Sequence, residues 1–183
     1  MPGYRNRLTR AQQRIYDRSD AISSIRVEVT PRLRQAVAAV PALLEAGAAE
    51  RIERAAQAIA DDICSSLRIT GVRVHVSGTR PSNTRGELHG LYTAREGSGP
   101  PTIKVWMLTA KRGQVVAFKT FLRTLLHEIC HHLDYAHLHL DDSFHTDGFY
   151  KRESSLFYQI GAAEIAPVTR RRTAVNLPSP GSM

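Results

Sequence analysis

Apolar residues recur at helical spacing in some stretches of the chain and alternate with polar ones in others. Ile52, Ala55, Ala56, Ile59, Ile63 and Leu67 fall three or four apart, which predicts a helix ending near Leu67. Upstream, Pro31 can open a helix that runs to Pro41. The stretch "PALLEAGAAERIERAAQAIADDICSSL" is helix-forming, with Gly47 as a break, so it holds one or two helices. Segment 9–18 is also compatible with a helix, although its apolar face is thin.

The strongest helical pattern lies within 114–136. Phe118, Phe121, Leu122, Leu125, Leu126, Ile129 and Leu133 form one apolar arc there. A further helix over 148–165 would bury Phe149, Leu156, Phe157 and Ile160. Val72, Val74 and Val76 alternate with Arg73 and His75, the signature of a short half-buried strand. "GELHGLYTA" reads as a second strand and "PTIKVWML" as a third, joined by the Gly- and Pro-rich "REGSGPP". "GTRPSNTRG" and "HLHLDDSFHTD" read as loops.

These elements predict an α+β fold. A small, mostly antiparallel sheet packs on the 114–136 helix and on a second C-terminal helix, with helices preceding them. The expected organisation is an N-terminal helical region over 1–68, a main domain over 69–165 and a disordered tail over 166–183. The third strand either accepts an extended peptide as an added strand or runs inside the sheet with Trp106 in the core.

Composition narrows the class. With 183 residues, 42% hydrophobic and 23% charged, the chain suits one globular domain with appendages. The formal charge of +8 favours anionic partners only weakly, because 21 of the 25 basic residues are Arg, a bias that base composition also produces. Two distant cysteines, Cys64 and Cys130, make no disulfide framework and fit a reducing compartment. The polar start lacks an apolar leader and no run of about 18 apolar residues occurs, so a cytoplasmic location without a membrane span is expected.

The chemistry concentrates in "TLLHEICHHLDY", residues 124–135. Six of the eight histidines lie between 127 and 145. His127 and His131 are four apart on the best helix, so their rings share a face with Cβ atoms roughly 5–6 Å apart. That is near enough for both to bind one metal ion. Glu128 is rotated by about 100° from His127, too far round to be a third ligand but placed to reach a water on that metal. Two ligands plus a general base on one rigid element is the logic of H-E-x-x-H.

A catalytic zinc ion takes three protein ligands and keeps one position open. His145, which follows the loop after the helix, is the preferred third ligand; Glu153 and Glu164 are its rivals, as are Asp141, Asp142 and Asp147. His137 and His139 sit too close to the helix end and read as loop residues. His132 borders the apolar arc and reads as packed or hydrogen-bonded. His75 and His89 read as structural, with His89 able to face a cleft, and Cys130 as a buried thiol. Asp134 and Asp147 are candidate partners for the ligating imidazoles, and Tyr150 is a candidate donor to an oxyanion. The expected reaction is amide hydrolysis, with Glu128 taking a proton from water and returning it to the leaving amine.

These residues resemble the zincin metallopeptidases, and among them the SprT-like and minimal-gluzincin-type domains. The resemblance covers roughly residues 70–162: strands, the "HEICHHLD" helix, then "FHTDGFYKR" with His145, Gly148 and Phe149. It implies a zincin-like fold, Zn2+ held by His127, His131 and His145, and Glu128 as base acting on a protein or peptide. A SprT-like protein would act on DNA-associated substrates, with the basic N-terminal segment and "TRRR" at 169–172 contacting phosphates. The alternative is a non-catalytic, zinc-stabilised interaction domain; Glu128 weighs against it, because a structural site needs no base.

Overall fold

The computed structural model describes residues 2–84, 86–94 and 99–165. Six helices and five strands are found among them: α1 Pro2–Arg5, α2 Arg10–Asp20, α3 Pro31–Glu45, α4 Ala49–Leu67, β1 Arg73–Thr79, β2 Ser82–Asn83, β3 Gly86–Glu87, β4 Gly90–Thr93, β5 Thr102–Leu108, α5 Phe118–Ala136 and α6 Asp147–Ile165. The expected tail over 166–183 lies outside the described residues, as does "TRRR".

Local chemistry sets the helix boundaries. Thr9 and Gln12 form a reciprocal capping box on α2. Thr30 caps α3 by accepting from the Leu33 N–H at 3.0 Å, and Pro31 occupies the first turn. α3 does not stop at Pro41 as the sequence predicts. Buried Val40, Leu43 and Leu44 flank the proline and hold both sides of it in the core, which offsets the lost backbone bond. α4 ends on Arg68, whose φ of 55° is left-handed.

The sheet corrects the expectation of a mostly antiparallel arrangement. Its order is β1-β5-β4, with β1 parallel and β4 antiparallel to β5. The reason lies in the segment predicted as a plain loop. After β1 the chain forms the small β2–β3 hairpin and crosses to the far edge, instead of turning back beside β1. β4 then returns into β5, so β1 and β4 flank β5 without pairing to each other. β5 is therefore the inner strand with Trp106 buried, and the alternative of β5 as a docking edge is excluded.

Side chains from α4 cover the outer edge of β1. Gln57 donates to the Val72 carbonyl at 2.9 Å and accepts from the Val74 N–H at 2.8 Å. Glu53 accepts from the Val76 N–H at 2.8 Å. These contacts satisfy backbone groups that an open edge would expose. One apolar cluster joins the layers, with Val37 and Val40 of α3, Ile52, Ile59 and Ile63 of α4, Ile103 and Val105 of β5, and Leu122, Leu125 and Ile129 of α5 all buried. Each such side chain contributes about 1.5–3 kcal/mol by leaving water. The arc predicted on α5 is the part of that helix facing this cluster, which turns His127 and His131 the other way.

Candidate metal centre

His127, His131 and His145 come together, each offering a ring nitrogen to one point. Nε2 of His145 lies 3.0 Å from Nε2 of His127 and 3.1 Å from Nε2 of His131. Helical spacing supplies the first two. The third arrives through the segment after α5, where buried Thr146 fixes its position. The Thr146 hydroxyl accepts from the Phe149 N–H at 2.9 Å and caps α6, so His145 stands immediately before a rigid helix start. Fully buried Phe149 forms a floor beneath all three imidazoles, with ring centroids 4.8–5.1 Å away.

The other ring nitrogens decide what the converging ones can do. His127 Nδ1 faces the Glu153 carboxylate at 3.1 Å, so it carries the proton. His131 Nδ1 lies 2.7 Å from Ser143 Oγ, and Ser143 donates its own hydroxyl to Asp134 at 2.7 Å. Ser143 can then only accept from His131, so Nδ1 of His131 is protonated as well. Both Nε2 atoms therefore direct lone pairs at one spot. Burial, with His127 and His145 beside it, pushes His131 down to about 3, which keeps it a neutral donor. His145 is lowered in the same sense, first by burial and then by His127.

Nitrogens that share a tetrahedral zinc at 2.0–2.1 Å stand about 3.3 Å apart. The observed 3.0 and 3.1 Å fit a cation of that size. The donor set therefore fits a metal ion held by three imidazoles.

Glu128 lies beside this centre, 6% exposed, and lines a cleft of about 320 Å³ with His127, Gly90 and His89. Burial raises its carboxyl to about 7, opposed by His127 and by a bond from the Tyr92 backbone N–H. β4 presses directly on it: a Cβ at Gly90 would come within 2.7 Å of Glu128 Cγ and 2.8 Å of its Cδ. Tyr92 stands one side-chain period further along β4. Its ring stacks on His131 at 6.3 Å and Tyr135 at 5.8 Å, and its hydroxyl meets His132 Nδ1 at 3.3 Å.

Behind His131 the chain of hydrogen bonds continues into the N-terminal arm. Asp134 accepts from Arg152 Nη2 at 2.8 Å, and both side chains are fully buried. The same guanidinium donates to the Ser19 carbonyl at 2.5 Å, the Ile22 carbonyl at 2.6 Å and Ser19 Oγ at 2.9 Å. Gly148 packs against the Ser19 and Asp20 backbone so closely that an added Cβ would meet the Ser19 carbonyl at 2.6 Å. The end of α2 thus seats the start of α6.

The remaining candidates fall into distinct places. Glu153 supports His127 from its Nδ1 side and also meets Arg123 at 3.4 Å, so it is no third ligand in this arrangement. The side chain of Glu164 lies outside the described residues. Asp142 accepts the Ser143 N–H at 2.8 Å, and Asp141 lies on the surface. Asp134 acts on His131 through Ser143. Asp147 is exposed at the start of α6, and no contact places it behind an imidazole among the described residues. Tyr150 stacks on His145 at 5.8 Å and 22°. His132 is buried, with Nε2 2.8 Å from the Thr70 carbonyl, and Cys130 is buried with its thiol pushed up. His137 ends α5, and His139 is exposed with a φ of 51°. His89 lies between β3 and β4, facing the cleft.

Gly90, Tyr92, Ser143 and Arg152 are absent from the residues singled out by the sequence. Period-two spacing marks Gly90 and Tyr92 as sharing a face of one strand, so that pair carries a legible signal. Ser143 and Arg152 act through partners up to 133 positions away and leave none. Comparison with protein-family models, with curated proteins and with solved structures finds no significant match to this chain.

Proposed function

We propose that the chain is a zinc-dependent metallopeptidase that hydrolyses peptide bonds with Glu128 as general base. One observation carries the reading. Three imidazoles aim Nε2 at one spot, two of them with Nδ1–H already committed to acceptors, and a buried carboxyl stands beside them at the edge of a cleft.

His127, His131 and His145 would hold the ion, which when bound supplies Lewis acidity and brings the pKa of a water toward neutrality. Glu128, raised to about 7, suits proton abstraction and return at neutral pH. Glu153 and the Ser143–Asp134 pair orient the imidazoles. Tyr150, exposed beside His145, is the candidate donor to the oxyanion. Among the described residues β4 has a sheet partner on one side only and borders the cleft, so β4 rather than β5 is the strand against which an extended substrate would lie.

The finer reading, action on DNA-associated protein, is supported by exposed Arg7, Arg10 and Arg14 on the N-terminal arm. The test is a Glu128→Gln variant of the full chain, assayed for bound zinc and for cleavage of casein and histones with and without DNA. Retained zinc with cleavage lowered about 10²–10⁴-fold supports the peptidase. A wild-type protein that binds zinc yet cleaves neither substrate would leave the interaction-domain alternative standing.

A further inference from the structure

His145 also lines a second cavity, of about 490 Å³, which shares no lining residue with the Glu128 cleft. Its walls are Tyr4 of α1, Tyr16 of α2, Ser143, Phe144, His145, and Asp147 and Tyr150 of α6. The N-terminal arm therefore contributes to the surroundings of the metal centre, and His145 belongs to both places.

The chemistry of this cavity is specific. Tyr4, Tyr16 and Phe144 surround it at mutual centroid distances of 6.4, 6.5 and 6.0 Å, tilted by 47–63°. The three rings meet tilted or edge to face, not stacked, and all three line the cavity. Tyr150 closes the side nearest the metal centre, stacked on His145. The charges are one-signed. Asp147 is exposed at the mouth, and its charge reaches the Tyr16 phenol, which is raised first by burial and then by Asp20 and Asp147. Arg5, the nearest basic group acting on that phenol, is occupied by Asp17 through a two-point contact at 2.6 and 2.5 Å. Among the described residues no Lys or Arg lines the cavity.

Aromatic faces attract a cation within about 6 Å of the ring centroid, and a long basic side chain lays its methylenes on apolar walls while its head meets a carboxylate. An acidic side chain would meet Asp147 as a like charge. A purely aliphatic one would leave the carboxylate and phenols unanswered.

We propose that this cavity is a specificity subsite for the side chain of a lysine or arginine flanking the bond presented to His127, His131 and His145. Tyr16 and Asp147 are its determinants. The inference rests on the peptidase reading and names the substrate class for it.

The test uses the full-length Glu128→Gln protein and four capped pentapeptides, Ala-Ala-X-Ala-Ala with X as Arg, Lys, Leu or Glu, with binding followed by tyrosine ring shifts in NMR spectra. The Arg and Lys peptides should bind about tenfold more tightly than the others. Asp147→Asn and Tyr16→Leu should each erode that preference, and Asp147→Lys should turn it toward Glu. A preference for Leu or Glu, or an Arg preference unmoved by all three changes, overturns the subsite. Mass-spectrometric mapping of casein sites cut by the wild type separates the two ideas. Casein cleavage with no enrichment of Lys or Arg beside the cut sinks the subsite and leaves the peptidase. Selective binding of the Arg peptide by a protein that cuts nothing sinks the peptidase and leaves a basic-peptide binding site.

Discussion

His131 and His145 point at the same spot from opposite circumstances. His131 rises from the middle of a 19-residue helix, is lowered by burial, and is braced through Ser143 and Asp134 to a fully buried arginine. His145 stands exposed between a loop and a helix start, beside an aromatic cavity. The first is half-buried with a fully buried pair behind it, and the second is exposed. Loss of the buried Asp134–Arg152 pair should therefore reach fold and metal together, whereas damage at His145 should reach the metal alone.

Asp134→Ala breaks the comparison hardest. It strips Arg152 of its buried partner, a change that costs about 3–5 kcal/mol. The melting temperature of the metal-free protein should fall by roughly 6–20 °C, and zinc affinity should drop as well. Wild-type stability in this variant would mean that the relay behind His131 is ornamental. His145→Ala should abolish stoichiometric zinc while shifting the metal-free melting temperature by no more than about 2 °C, since exposed positions contribute little to stability. Calorimetry beside metal analysis separates these two outcomes.

Ser143→Ala is subtler. It removes the acceptor for His131 Nδ1–H but leaves the Arg152–Asp134 pair, so zinc affinity should weaken about 10–100-fold with the fold intact. Chelator competition measures that loss. Gly90→Ala drives a methyl group into the space of Glu128, so zinc should stay bound while peptide cleavage falls at least about tenfold; unchanged turnover would show that β4 yields easily. Cys130→Ala is the smallest change. Although the thiol neighbours His131 in sequence, it is buried and pushed up, as is Cys64 to about 11. Zinc content should not change, and neither thiol of the native protein should react with a thiol reagent at pH 8 before denaturant is added.

The contrast also explains what the amino-acid pattern discloses. Helical periodicity places Phe121, Leu125 and Ile129 inward and His127 with His131 outward, because both facts follow from one 3.6-residue repeat. The third candidate ligand is legible only as a preference among nearby residues, since the path of residues 137–146 depends on tertiary contacts such as the Leu140 N–H to the Asp134 carbonyl at 2.9 Å. Sheet direction is not legible either. Alternation in β1 marks a strand but carries no information on which neighbour it joins, and the β2–β3 hairpin that reroutes the chain is only two residues deep on each side. The part played by Arg152 is the least visible, because its partners at Ser19, Ile22 and Asp134 are distant in sequence and two of those contacts are made by backbone.

That arginine has a consequence for how such a protein could be regulated. Many hydrolases are kept silent by a leading segment and awakened when it is trimmed. Here residues 19–22 supply three acceptors of Arg152 beside Asp134, and that pair backs the Ser143 contact to His131, a candidate ligand. Scission of the exposed stretch around Ser23–Ser24, followed by release of the piece before it, would leave the buried Arg152 with Asp134 but without its Ser19 and Ile22 acceptors. On the peptidase reading, a cut there would weaken the centre and not release it.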